Sequence, residues 1–210
     1  MVVRRLITAI LAVAVVSGGL AVAGPPPVSQ AYTTAGVCHF PATATTMTYA
    51  PVSSTEYANV KDAVARAAVR WNSVAIKPRF STTTFTNAAF VLYKSGTFSD
   101  AGTLAMTSGT CVSGLWKTNQ VTVTFATSYF TQASVGGVFY GIVERRMIAA
   151  HELGHTLGLG EMNTGGSACT TMPTYTVVPS VMTQGGRKWS CDWGDEPWAD
   201  DIKGVNSIYK

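Results

Sequence analysis

This chain is short of charge. Asp, Glu, Lys and Arg together make up 12% of its 210 residues, about half the share usual in a soluble domain. The fifteen basic and eleven acidic residues give +4, spread thinly and without a basic cluster. That excludes nucleic acid as a partner, because phosphate binding needs a concentrated positive face. Beyond the N-terminus no segment approaches the roughly 18 apolar residues of a membrane span. There is no C-x-x-C pair, which argues against a zinc ribbon or a redox dithiol. Histidine is scarce, only three in all. Hydrophobic residues, by contrast, reach 47%, enough for a packed core and too many for a disordered chain. The length suits one ordinary domain.

The apolar run that does exist reads as an address. Arg4 and Arg5 precede the apolar stretch Leu6 to Val16, and Ala21 and Ala23 flank Val22 in an A-x-A pattern, the plan of a secretory signal. We expect residues 1–23 to be a signal peptide, with an alternative cut after Ala31. Residues 24–36, Pro-rich and small, form a short leader, and 37–210 form one domain. Removing the signal leaves thirteen basic against eleven acidic residues. The mature protein is then secreted, extracellular and without stable membrane association, and we expect a monomer. An even set of cysteines, Cys38, Cys111, Cys169 and Cys191, agrees with an oxidising compartment and implies two disulfides with three possible connectivities. The preferred pairing is Cys38–Cys111 and Cys169–Cys191.

A Thr-rich stretch from Cys38 to about Tyr49 suits an early strand. Val60, Val64, Ala67, Ala68 and Trp71 recur at helical steps, predicting a core-packing helix over 56–74 that Ser53 or Ser54 could cap. Short β runs follow at 80–85, 88–93, 103–107 and 120–125, punctuated by glycine. Gly136 and Gly137 make a loop, a second helix runs from Gly141 to Leu157, and a short one closes the chain from Trp198 to Ile208. The order predicts an α+β fold: a twisted mixed sheet, two long helices and an irregular C-terminal part ending in a short helix.

The second helix carries His151-Glu152-Leu153-Gly154-His155. Histidines four residues apart lie about 400° apart around a helix, hence on one face one turn apart, so both imidazoles can reach one ion. Glu152 lies beside them, able to approach a metal-bound water without itself ligating. Gly158 can stop the helix in a left-handed turn, after which Glu161 can come back to the same ion. A solvent-facing loop glutamate is the alternative for Glu161, with Asp192 or Asp195 as outside candidates for a third ligand.

The string HELGHTLGLGE resembles the zinc signature of the metzincin metallopeptidases, H-E-x-x-H-x-x-G-x-x-H. The resemblance implies one catalytic Zn2+ held by His151, His155 and Glu161, with Glu152 as general base. Glu161 stands where most of that family has His; snapalysin-like secreted peptidases have Asp there. Val181-Met182-Thr183 resembles the family's Met-turn, which implies that Met182 lies beneath the metal. The end of the first helix, Trp71-Asn72, the strand Thr103 to Thr107 and the helix Asp200 to Tyr209 are similar to the first helix, substrate-pairing edge strand and closing helix of the matrixins. Departures exist. Met106 stands where matrixins place a histidine of a second, structural zinc, so that zinc is not expected, and Gln184 stands where some metzincins have a tyrosine ligand. The segment before Cys38 is too short for a matrixin prodomain. Cys38 is read as a disulfide cysteine over a latency cysteine, and His39 as a satisfied histidine.

The resemblance implies a zinc endopeptidase acting on protein or peptide substrates. The rival readings are a catalytically silent extracellular binding module of the same fold and a hydrolase of cell-wall peptide cross-links. Met172 to Gly186, with Tyr175, Val177 and Val178, is the expected wall of the specificity pocket. Trp189, Trp193 and Trp198 are read as packing around Cys191 over a substrate platform. Asp192, Asp195, Glu196, Asp200 and Asp201 offer oxygen ligands of the kind Ca2+ takes, but without EF-hand spacing, so calcium stays unassigned.

Overall fold

The computed structural model describes residues 38–84, 86–100, 102–117, 121–132, 134–135, 138–139, 141–162, 180–183 and 195–210. The signal and leader, Cys169, Cys191, Asp192, Gln184, the Tyr175–Val178 wall, Trp189 and Trp193 lie outside the described residues.

Strand β1 (Thr46–Pro51) is followed by helix α1 (Ala58–Ser73), β2 (Arg79–Thr82), β3 (Val91–Gly96), β4 (Ala105–Ser108), the two-residue strands β5 (Cys111–Val112) and β6 (Leu115–Trp116), and β7 (Val121–Ala126). A short helix α2 (Thr127–Thr131), the pair β8 (Ser134–Val135) and β9 (Val138–Phe139), helix α3 (Ile142–Thr156) and helix α4 (Ala199–Ile208) complete the order. Five strands form one mixed sheet, β2-β1-β3-β7-β4, in which only β4 runs antiparallel to its neighbour. The fold is mixed α and β, consistent with the α+β expectation.

The patterns that predict the main elements hold. Along β7, Val121, Val123 and Phe125 are buried while Thr122 and Thr124 are half-buried, as the period of two requires. Along α1 the buried set is Val60, Ala63, Val64, Ala67, Ala68 and Trp71, one stripe at three- and four-residue steps. The two long helices pack on each other, α1 toward β2 and α3 toward β7 and β4. The Trp71 ring is fully buried and its Nε1 donates to the Ala150 carbonyl at 2.9 Å, so one side chain both fills the helix interface and fixes its register.

Some boundaries differ from the expectation. The first strand starts at Thr46, because the segment before it is engaged elsewhere: His39 bridges to Leu115, and Trp116 N donates to the His39 carbonyl. Neither Ser53 nor Ser54 caps α1. Its N-cap is Tyr57, without a side-chain cap, and Glu56 turns instead to Tyr57 N and Ser95 N. Thr127–Thr131, unmarked in the sequence, is helical.

The Cys38–Cys111 disulfide is present as expected, closing a separation of 73 residues, for which chain entropy alone predicts about 4 kcal/mol. It fastens the N-terminal segment to the β5–β6 hairpin. From there Phe40 N donates to the Tyr209 hydroxyl at 3.3 Å, which ties the chain's start to the helix behind the site. No helix among the described residues is long and apolar enough to cross a membrane.

Candidate metal centre

Helix α3 ends by a Schellman motif. The Leu159 N–H bonds back to the Gly154 carbonyl at 3.1 Å and the Gly158 N–H to the His155 carbonyl at 3.0 Å. Gly158 has φ +91°, and a Cβ there would fall 2.7 Å from Cβ of His39 and 3.0 Å from Ile208 Cδ1. The position therefore needs glycine twice over, for its left-handed backbone and for lack of room. The chain reverses over this turn, and Met162, next to Glu161, is stitched to the following segment by its N–H to the Met182 carbonyl at 2.9 Å.

The reversal brings three donors together. His151 Nε2 and His155 Nε2 are 3.1 Å apart, and Glu161 Oε1 is 3.3 Å from each. Tetrahedral ligands at the usual 2.0–2.1 Å from zinc would be separated by about 3.3–3.4 Å, so the triangle has the right size. Each ring is oriented from behind. His151 Nδ1 lies 3.0 Å from the Val181 carbonyl and His155 Nδ1 2.8 Å from the Leu159 carbonyl. A carbonyl only accepts, so both Nδ1 atoms carry protons and both Nε2 lone pairs face the centre. Such outer hydrogen bonds are how metal sites fix the tautomer of their histidines. His151, His155 and Glu161 form a group able to hold a metal ion.

The three groups are electrostatically coupled. Burial alone pulls the His155 pKa down, but the hydrogen bond to Glu161, the Glu152 charge and the Leu159 carbonyl outweigh it and leave it above the ordinary imidazole value. Burial pushes Glu161 up, and the two imidazoles overcome that and hold its carboxyl far below the usual range. The histidine side chains are 12% and 17% exposed and Glu161 is 40% exposed, so the centre is walled on the helix side and open on the carboxylate side.

Glu152 stays outside the triangle. It is 5% exposed, and its Oε2 accepts from Thr107 Oγ1 of β4 at 2.6 Å. Met182 is fully buried against α3: a Cβ on Gly154 would overlap its Sδ and come within 3.2 Å of the Trp71 ring. The turn at 180–183 is held from α4. Asp201, 1% exposed, accepts from Ser180 Oγ at 2.5 Å, Val181 N at 2.9 Å and Trp198 N at 2.8 Å.

The candidates that fall on described residues have these places. His151, His155 and Glu161 converge, with Glu152 beside them. Asp195, the outside candidate for third ligand, is instead bonded to Arg70 of α1 at 3.0 Å, and Glu196 pairs with the same guanidinium. That pairing turns Asp195 toward Arg70, and Asp195 is not in the group that could hold an ion. Asp201 of the acidic cluster serves the 180–183 turn. His39 gives its Nδ1 proton to the Phe40 carbonyl and packs edge-on against Tyr209. Thr107, Ser180 and Asp201 carry roles that no local sequence signal announces, since their partners lie 45, 21 and 20 residues away. No protein-family model matches this chain, and no curated protein compared with it matches either.

Proposed function

We propose that the protein is a secreted zinc endopeptidase of metzincin type that hydrolyses peptide bonds in protein or peptide substrates. The observation that carries the reading is the convergence of two Nε2 lone pairs and one carboxylate oxygen at ligand-to-ligand spacing, with a second, buried glutamate beside them. Two histidines and a carboxylate are a zinc set that leaves a fourth position for solvent or substrate. Export is supported by the N-terminal signal pattern and by the Cys38–Cys111 disulfide.

His151, His155 and Glu161 would hold the ion. When bound, zinc polarises a carbonyl and makes water acidic enough to ionise near neutral pH. The chain's own part is proton handling and orientation. Glu152 Oε1, the oxygen not bonded to Thr107, takes the proton from the attacking water and returns it to the leaving amine. Val181 and Leu159 keep the imidazole edges aimed inward, and Gly154 lets Met182 close beneath them. Strand β4 offers an outer edge unpaired among the described residues, against which an extended peptide can add as a further strand.

The decisive experiment combines metal analysis of the purified mature protein with casein cleavage in the presence and absence of chelator. We expect stoichiometric zinc and chelator-sensitive cleavage. Glu152→Gln should keep its zinc and lose cleavage by about 100-fold or more, the usual share of a general base. Zinc without cleavage in the native chain would favour the silent binding module, and cleavage confined to wall peptides the cross-link hydrolase. A metal-free protein with unaltered activity would remove the site from the chemistry.

A further inference from the structure

The base has a partner that the helical motif does not provide. Thr107 lies on edge strand β4, paired in register with Val123, and its half-buried side chain faces α3. Its Oγ1 is 2.6 Å from Glu152 Oε2 and 3.1 Å from the Glu152 carbonyl oxygen. A threonine hydroxyl has one proton to give. The shorter contact, to a carboxylate, is the stronger of the two, so the proton goes to Oε2 and the backbone oxygen is a passing neighbour.

We infer that Thr107 is a positioning residue for Glu152, holding the carboxylate by one oxygen so that the other is presented to the proton it must accept. The inference rests on the peptidase reading. A glutamate left to itself samples several rotamers, and proton transfer needs the acceptor within hydrogen-bond reach of the reacting water. The hydroxyl takes up Oε2 and leaves Oε1 without a partner among the described residues. It also ties the base to the strand whose outer edge is unpaired among the described residues, so the register of an added peptide and the position of the base are set by one element. The neighbours of Thr107 on β4, Met106 and Ser108, are both exposed and point the other way, which leaves this one side chain of β4 to make the tie.

Thr107→Val keeps the shape and removes the hydroxyl; Thr107→Ser restores a hydroxyl without the methyl. We expect Thr107→Val to lower kcat about 10- to 100-fold, the cost of a misplaced catalytic group, with KM and zinc content unchanged. Thr107→Ser should recover most of the lost kcat. A Thr107→Val enzyme with native kcat, or a Thr107→Ser enzyme as slow as Thr107→Val, overturns the inference. A second readout needs no metal and no activity: urea midpoints of the metal-free wild type, Thr107→Val, Glu152→Ala and the double variant. If the tie exists, Thr107→Val has little further effect once Glu152 is alanine; additive shifts overturn it. A native protein that binds zinc yet cleaves no peptide sinks the peptidase reading itself, and the urea cycle still judges the tie.

Discussion

Helices α1 and α3 are nearly the same length, 16 and 15 residues, and pack on one another, yet they treat polar residues in opposite ways. In α1 the apolar stripe is clean and the charges stay off it at the surface; Arg66 and Asp62 are 60% and 41% exposed, and Asp62 and Arg70 pair at the rim with Arg146 of α3 and Asp195. In α3 the apolar residues Met147, Ile148, Ala149, Ala150 and Leu153 are buried, but so is Glu152, and the two histidines are nearly so. Burying a polar group is costly unless it is hydrogen-bonded, and each of these has its bond: Thr107 for Glu152, Val181 for His151, Leu159 for His155. A helix built only to pack has no reason to take on those groups and their partners. The contrast separates a helix that only packs from the one that carries the candidate metal centre.

The sharpest test of that contrast removes a donor from one side and a charge from the other. Glu161→Ala deletes one of three ligand atoms, and zinc affinity should fall by more than the roughly 10- to 100-fold typical of losing an outer-shell partner, with cleavage lost alongside. Arg66→Ala on α1 should change neither, since exposed ion pairs contribute about 0–1 kcal/mol. Competition against a chromophoric chelator measures both. Full zinc affinity in Glu161→Ala would take the carboxylate out of the centre.

A smaller effect is expected one step back from the ligands. Asp201 fixes the turn whose Val181 carbonyl orients His151, whereas Asp195 serves Arg70 of α1. Asp201→Asn should weaken zinc binding by about 10-fold, and Asp195→Asn should leave it at the native value. Equal behaviour of the two variants would show that the turn does not govern the imidazole.

How far each feature could be read from the sequence follows the distance over which it is encoded. His151, Glu152 and His155 are placed by the pitch of one helix, and Glu161 by a single glycine turn three residues before it, at Gly158. Local rules therefore suffice for the donor set. The same holds for α1, α3, α4 and the alternating β7. The strand order β2-β1-β3-β7-β4 has no local signal, because parallel pairing joins segments far apart in the chain. The ties from Thr107 to Glu152 and from Asp201 to Val181 are likewise tertiary. The late start of β1 and the uncapped N-terminus of α1 depart from local expectation for the same reason: His39 pairs with Leu115 and Glu56 reaches Ser95, both far away in the chain.

Gly154 belongs to the motif yet has a purely steric role, and it sets up a third test. In the interior of an isolated helix Ala is better than Gly by about 1 kcal/mol. Here a Cβ would overlap Met182 Sδ and crowd Trp71, and overpacking of that kind costs about 1–3 kcal/mol. Gly154→Ala should therefore lower stability, by up to about 2 kcal/mol after the propensity gain. The opposite exchange on α1, Ala67→Gly, should cost about 1 kcal/mol through backbone freedom and lost contact. A stabilised Gly154→Ala protein, by thermal melting, would mean that Met182 does not sit against the helix as described.

The weakest effect vanishes at neutral pH. Burial, with Tyr49 and Glu56 nearby, pushes the Tyr93 pKa up to about 12, and burial also raises that of Tyr209 behind the site despite the Phe40 N–H donated to it. An unfolded tyrosine ionises near 10. Each raised group thus contributes stability that is fully present below pH 10 and is lost as pH climbs toward the folded value, because the unfolded chain releases its proton first. Urea midpoints should be flat from pH 7 to about 9 and then fall, each such tyrosine adding a slope of up to about 1.4 kcal/mol per pH unit. Tyr93→Phe removes one contribution with no hydrogen bond at stake among the described residues, so its alkaline slope should be shallower than the native one. Tyr209→Phe also loosens the slope, but strips Phe40 N of its acceptor and lowers stability at every pH. The two variants therefore divide a purely electrostatic loss on the sheet from a mixed one behind the candidate centre, and a Tyr209→Phe protein as stable as the native one at neutral pH would contradict the Phe40–Tyr209 bond.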